Sequence, residues 1–273
     1  MLLLDNKEVL FGKFPNGESN LNFNKLAFGF DAKVTLKFES DNDLFNLFIL
    51  KNLMDEVFPV NNYELKILYM PYSRMDRRNS TYTFNLKYVC NLINSLAFKK
   101  VIVYDAHSEV TSALLNNVVD KTNIPALFAK FRNEVPYKDL HIFYPDAGAQ
   151  KKYSGGTFNY PSLIGSKVRD FASGNIINYE VFGLLKTDSD VLIVDDLCSK
   201  GGTFIGAAKI LKDMGASNVY LLTGHCENTI YEGEIFKTDL IAKVFTTNSI
   251  LSDWPALGVN KRIDITRLYS KEI

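Results

Sequence analysis

Cysteine and histidine are both scarce, with three of each in 273 residues. Cys90, Cys198 and Cys226 show no C-x-x-C spacing and make an odd set. That argues against a disulfide framework and a cysteine-based zinc site, and it points to a reducing, cytoplasmic setting. Neither sign of charge dominates: Lys plus Arg and Asp plus Glu each number 31. Without a net field, nucleic acid and membrane surfaces are not expected partners, and any anion has to be caught locally. No apolar run nears the roughly 18 residues needed to span a bilayer. "MLLL" meets Asp5 at once, so no secretory leader is expected. Neither a G-x-x-x-x-G-K-S/T loop nor a protein-kinase H-R-D and D-F-G set occurs, which makes those phosphotransferase classes poor readings.

What is present is an ordinary globular composition, 47% hydrophobic and 23% charged, long enough for one large or two modest domains. Apolar runs alternate with helical patterns. Strands are expected over 65–70, 100–105, 138–146 and 219–223, and a helix over 83–98. The clearest unit is "VLIVDD", a loop, a helix from Thr203 with Gly215 at its C-cap, and the strand at Val219. Such βαβ alternation predicts mostly parallel sheets flanked by helices, with ligands at the carboxyl ends of strands. Arg74, Asp105, His107, Asp146, Asp195 and His225 all follow expected strand ends. The polar, glycine-bearing stretch 149–170 is expected to be a mobile loop or edge excursion. His141, inside an apolar strand, reads as structural, and His225 as structural or as a support for a neighbouring group.

In "VLIVDDLCSKGGTF", residues 191–204, the amides of a tight turn and of a helix's first turn can cradle a phosphate. Gly201 and Gly202 allow close approach, and Ser199 and Thr203 add hydroxyl donors. Asp195 and Asp196 would repel that phosphate, so they should face hydroxyls or a metal. A ribose 5-phosphate group offers both the phosphate and the vicinal hydroxyls. The bland reading is a plain strand–turn–helix with solvated acids.

This segment resembles the phosphoribosyl-diphosphate (PRPP) loop of the type I phosphoribosyltransferase fold. Further stretches resemble the ribose-phosphate diphosphokinases (PRPP synthetases), in the family's order. "PYSRMDRR", 71–78, is similar to the family's "PYxRQDR" ATP segment, with Met75 in place of glutamine. "KFPNGES", 13–19, is similar to the "RFxDGE" loop that reaches a neighbouring subunit's adenine, with Phe14 as the stacking ring and Asn16 in place of aspartate. "YDAHS", 104–108, resembles the metal segment "DLH". "YPDAGAQKKY", 144–153, resembles "xPDxGG". "KVRD", 167–170, resembles the "KRR" catalytic loop without its middle arginine. The likeness runs from about Phe14 to the region of Asp264.

The resemblance implies two tandem type I phosphoribosyltransferase-like domains, an α/β architecture with a boundary at 136/137 and the last residues able to pack back on the first domain. It implies ATP binding by Phe14, Asn16, Glu18, Arg74, Met75, Asp76 and Arg77, and Mg²⁺ at His107 and Asp146. Lys167 and Arg169 would be catalytic. Asp195, Asp196, Ser199, Lys200, Gly201, Gly202 and Thr203 would hold the ribose phosphate. The implied reaction passes the β,γ-diphosphate of MgATP to an anomeric hydroxyl and releases AMP, in a homodimer or higher homo-oligomer.

Two departures stand out. The chain is shorter than a typical PRPP synthetase, which puts the usual hexamer and its ADP/phosphate control in doubt. The loop pattern "DDxxDTGGT" has become one with Ser199-Lys200, about two charge units more positive. Two acceptors therefore stay open, ribose 5-phosphate and ADP-ribose. The second would give ADP-ribose 1-diphosphate, from which a partner transferase could rebuild NAD, and it resembles a short phage-type synthetase subgroup. A PRPP-using phosphoribosyltransferase and an inactive regulatory homologue are the alternative readings.

Overall fold

The structure is a computed structural model that describes residues 1–169, 176–252 and 262–269, with the side chains at 167–169 and 176–178 left aside. The chain divides into two compact units, Met1–Thr122 with the segment from Leu268, and Asn123–Arg267.

The first unit holds β1 (Leu2–Leu4), β2 (Lys7–Glu8), β3 (Phe11–Lys13), β4 (Ser19–Leu21), β5 (Lys33–Leu36), α1 (Asp41–Val57), β6 (Glu64–Ile67), α2 (Asn85–Ser95), β7 (Lys100–Tyr104), α3 (Glu109–Leu114) and β8 (Val118–Lys121). Its main sheet runs β2-β1-β5-β6-β7-β8, and β3 and β4 form a separate hairpin. β5 to β8 are parallel, and β1 is antiparallel to both its neighbours. The core sets Val34, Leu36, Leu65, Ile67 and Val103 against Leu47, Leu50 and Met54 of α1 and Leu86, Cys90 and Ile93 of α2. Burying each such leucine or isoleucine contributes about 1.5–3 kcal/mol. The α1 start is fixed locally: the Asp43 carboxylate accepts the Ser40 N–H at 2.9 Å, as a capping box requires.

The second unit holds α4 (Ile124–Glu134), β9 (His141–Tyr144), α5 (Ala147–Tyr153), β10 (Ser162–Arg169), β11 (Ile176–Phe182), β12 (Val191–Cys198), α6 (Gly202–Asp213), β13 (Val219–Cys226), β14 (Lys243–Thr247) and β15 (Ile263–Thr266). The sheet order is β11-β10-β9-β12-β13-β14-β15, parallel except for the antiparallel pair β10–β11. "VLIV" at the start of β12 is apolar throughout because both faces are covered. Val191 and Ile193 pack with Phe204, Ala208 and Leu211 of α6, while Leu192 and Val194 pack with Leu127 and Phe131 of α4.

Four expectations need correction. The units divide at 122/123 and not at 136/137, because the apolar face of α4 belongs to the second sheet's core. The stretch 149–170 is irregular only over 154–161: before that it ends α5, and after it supplies β10, which pairs with β9 on one side and with the edge strand β11 on the other. The strand at Val219 continues to Cys226, and the one at 138–146 shrinks to β9, because pairing with neighbours sets the bounds. Near the end, Leu268 and Tyr269 group with the first unit. The Lys66 ammonium donates to the Leu268 carbonyl at 2.8 Å, and Lys37 to the Tyr269 hydroxyl at 3.2 Å. Among the described residues no helix is long and apolar enough to cross a membrane.

Candidate active site

In the second unit the candidate residues gather at the carboxyl edge of the sheet. β9 and β12 are parallel neighbours, so Asp146, just past β9, and Asp195 and Asp196, late in β12, come to one edge. Asp146 is the N-cap of α5, and its Oδ1 accepts the Ala149 N–H at 3.0 Å. The Asp195 Oδ1 accepts the Asp196 N–H at 2.9 Å, which orients that carboxylate along its own backbone. All three acids retain some exposure.

The link between the strands is Tyr179, on β11. Its hydroxyl donates to the Pro145 carbonyl at 2.9 Å. Burial raises its proton affinity first, and the charges of Asp146 and then Asp195 raise it further, so the phenol stays protonated. Both acids are thus near enough to bear electrostatically on this partly buried residue. The strand between makes way: a Cβ on Gly165 would sit 2.7 Å from the Pro145 oxygen and closer still to the Tyr179 hydroxyl.

Beyond Cys198 the chain turns through Ser199, Lys200 and Gly201 into α6. Gly201 caps the helix with φ +83°, a left-handed conformation that favours glycine. Gly202 and Thr203 form the first turn, where unpaired N–H groups and the helix dipole attract anions. The Ser199 hydroxyl is 3.0 Å from that of Thr229, which in turn donates to Glu227 at 3.2 Å. The Lys200 side chain is exposed, and among the described residues it makes no ion pair. His225, on β13, is buried, and its Nδ1 stands 2.8 Å from the Ser249 hydroxyl. His141 is also buried, with Nδ1 at 2.9 Å from the Asp139 carbonyl.

Lys167 and Arg169 lie in β10, where Lys167 pairs in register with Tyr179. Their side chains, and Asp170, fall outside the described part.

The first unit presents its candidates in the same manner. β6 and β7 are parallel neighbours, and the 71–78 turn and the 105–107 turn follow their carboxyl ends. Arg74 and Arg77 are exposed, Asp76 pairs with Arg77 at 3.4 Å, and Met75 is tied into the turn by its N–H to the Tyr72 carbonyl at 2.8 Å. Asp105 is buried with φ +46° and accepts the Thr122 hydroxyl at 2.6 Å, so it braces the turn that leaves His107 exposed. Phe14 stands at the tip of the β3–β4 hairpin, 53% exposed, and the loop through Asn16 is closed by Glu18 N–H to the Asn16 Oδ1 at 3.2 Å. His107 and Asp146 belong to different units. Among the described residues no group of three or more His, Cys, Asp or Glu is assembled to hold a metal ion.

The sequence reading missed Tyr179, Gly165, Thr229 and Gly233. Gly233 packs on the Lys200 backbone, where a Cβ would come within 2.9 Å of the carbonyl carbon.

No family model matches the chain. It is 25% identical over 249 residues to a ribose-phosphate pyrophosphokinase of Helicobacter pylori, covering 89% of this chain and 77% of that one. It is 27% identical over 235 residues to the Clostridium perfringens protein of the same name, covering 83% and 72%. For the Aquifex aeolicus protein of that name the values are 26% over 251 residues, 89% and 79%. Among solved structures, the phosphoribosylpyrophosphate synthetase of Mycobacterium smegmatis superposes with a TM-score of 0.77 at 18% identity, over 96% of this chain and 86% of that one. At that identity the superposition speaks for the fold, two type I phosphoribosyltransferase-like domains.

Proposed function

We propose that this chain, a member of the ribose-phosphate pyrophosphokinase family, transfers the β,γ-diphosphoryl group of ATP to the anomeric hydroxyl of a ribose that carries a 5-phosphate. The observation that carries this reading is the joint position of Asp146, Asp195 and the Gly201–Thr203 helix start on one sheet edge. Acids for a diol, amides for a phosphate and a further acid for a cation are what such an acceptor and co-substrate require.

In the reaction the anomeric oxygen attacks the β-phosphorus, the bond from that phosphorus to the α,β-bridging oxygen breaks, AMP leaves and the hydroxyl proton passes to solvent. The protein's task is alignment and charge neutralisation. Asp195 and Asp196 accept hydrogen bonds from the 2- and 3-hydroxyls. The amides and hydroxyls of Ser199–Thr203 hold the 5-phosphate. Lys167 and Arg169 neutralise the transferring oxygens, and Arg74, Met75, Asp76 and Arg77, with Phe14, Asn16 and Glu18, bind ATP. The donor set fits Mg²⁺: this hard ion commonly takes one or two carboxylates and completes its shell with water and substrate phosphates, and the partly exposed Asp146 and Asp195 stand at one sheet edge. Asp146 is the carboxylate proposed to hold it in the second unit, and the resemblance adds His107 of the first. When bound, Mg²⁺ would offset charge on the phosphate oxygens.

Ribose 5-phosphate is the acceptor suggested by the relatives' names. ADP-ribose is the second reading, favoured by the exposed Lys200 ammonium beside the phosphate loop. Three buried free thiols suit a reducing cytoplasm, and the exposed Phe14 suits a homodimer or larger assembly in which that ring meets a neighbour's adenine.

The test is purified protein with MgATP and each sugar separately, following AMP. AMP with either sugar supports diphosphoryl transfer and identifies the acceptor. No AMP with either, but diphosphate release from PRPP and a base, would replace the reading with a phosphoribosyltransferase. No turnover in any mixture would favour an inactive regulatory homologue.

A further inference from the structure

Tyr179 has a path that ordinary sheet packing does not require. It sits on β11, opposite Lys167 of β10, yet its hydroxyl ends on the Pro145 carbonyl, one strand further in, at 2.9 Å. The ring crosses β10 at Gly165, two residues before Lys167, and any side chain at 165 would collide with both the hydroxyl and Pro145. Pro145 immediately precedes Asp146, whose Oδ1 is held by the Ala149 N–H. Asp146 is thus fixed from two sides, by the helix start through its carboxylate and by Tyr179 through the preceding peptide. Tyr179 is the register partner of Lys167, and where the β9–β10 ladder ends at Tyr144 and Ile164 its hydroxyl adds one further tie, from the strand pair that bears Lys167 and Arg169 to the turn that bears Asp146.

We infer that Tyr179 is a positioning residue, a latch that holds the β10–β11 pair in register with the Asp146 turn during diphosphoryl transfer. This rests on the function proposed above. A merely structural tyrosine could have filled the same space as phenylalanine. The hydroxyl matters only if the location of Pro145 and Asp146 relative to β10 matters.

Tyr179→Phe keeps the ring and removes the bond. The expected result is a kcat lower by about tenfold, as small misplacements of reacting groups produce, with KM for ATP and acceptor within about twofold and a thermal midpoint shifted by only a few degrees. Mn²⁺ binding, read by the loss of its free-ion paramagnetic resonance signal, should weaken several-fold in the same variant. Gly165→Ala, which displaces the ring from below, should reproduce the weaker Mn²⁺ binding should Tyr179→Phe fail to fold. Unchanged kcat and unchanged Mn²⁺ affinity in the variants would overturn the inference, as would a wild-type protein that binds no Mn²⁺. If wild-type protein forms no AMP with any acceptor yet binds Mn²⁺ and loses that binding in Tyr179→Phe, the proposed reaction falls while the latch stands.

Discussion

Gly233 rests on the backbone of Lys200 with no room for a side chain; a Cβ there would lie 2.9 Å from the Lys200 carbonyl carbon and closer to its oxygen. The segment after β13 is therefore a floor for the 199–201 turn, and the shape of that turn, proposed to hold the 5-phosphate, depends on a glycine more than thirty residues downstream.

Gly233→Ala should push Lys200 and Gly201 outward. Overpacking of this kind costs about 1–3 kcal/mol, and the displaced amides should weaken acceptor binding. The expected outcome is a KM for the phosphorylated sugar raised by about tenfold or more, with KM for ATP nearly constant. Steady-state kinetics with each substrate varied, together with a thermal melt, checks it. Equal effects on both substrates would show that the loop is not specific to the acceptor.

Asp195 and Asp196 should also separate the two substrates. Asp195 is already oriented by the Asp196 N–H at 2.9 Å, so under the proposed function its carboxylate would meet a diol with little reorganisation. Replacing either with Asn leaves the shape and removes the charge. We expect kcat/KM for the acceptor to fall by about 10²–10³, the range seen when a preorganised polar contact is lost, while ATP affinity measured alone changes little. The double variant should lose less than the product of the single losses, because the two acids share one ligand.

How much of this was legible beforehand follows from where each signal lies. "VLIV" is apolar at every position because β12 is covered on both faces, and Gly201 stands where φ +83° is needed. Both are local signals, so the strand, the loop and the helix after it could be read in order. Tyr179 and Gly233 carry no local signal. The bond from Tyr179 to Pro145 spans 34 residues, and Gly233 is required by a backbone it meets only after β13 has folded beside β12. The stretch 149–170 was read correctly only in its middle, where Gly155 and Gly156 stand in the irregular part. Asp146 caps α5 before it and the edge of β9 recruits β10 after it, so at both ends tertiary context overrode the loop composition.

The buried thiols give a prediction in pH. Burial pushes the Cys90 thiol up to about 11, and Cys226 is raised above its ordinary value by its hydrogen bond with Cys198 and by burial. A thiol with a folded pKa above its unfolded value keeps its proton in the folded chain while the unfolded chain loses its own. Stability should thus be flat in this respect below pH 9 and fall as pH rises from 9 towards 11. Between pH 9 and 10 the raised tyrosines, which start from 10, contribute little. Denaturant titrations across that window should show the slope, and Cys90→Ala should reduce it. A thiol reagent at pH 8 should find none of the three cysteines in folded protein and all of them in denaturant.

Substitution of Lys200 tests the choice between the two proposed acceptors. Its side chain is exposed at the turn before α6, while its carbonyl is pinned against Gly233, so the ammonium can swing over a ligand without disturbing the loop. A 5-phosphate alone can be satisfied by the amides and hydroxyls of Ser199–Thr203. A 5-diphosphate brings a second charged phosphate beyond that cradle, within a side chain's reach of the loop. Charge-assisted contacts with phosphate contribute about 1.5–3 kcal/mol. If ADP-ribose is the acceptor, Lys200→Ala should therefore raise its KM by roughly tenfold to a hundredfold, with kcat nearly unchanged and the penalty shrinking as salt is added. With ribose 5-phosphate as acceptor, the same variant should change KM by less than about threefold, because the lysine then points to water. Measuring both sugars with wild-type and Lys200→Ala protein at two salt concentrations separates the outcomes. A large, salt-sensitive loss with ribose 5-phosphate would mean that Lys200 belongs to the single-phosphate cradle, and the argument from its charge to a diphosphate acceptor would fail.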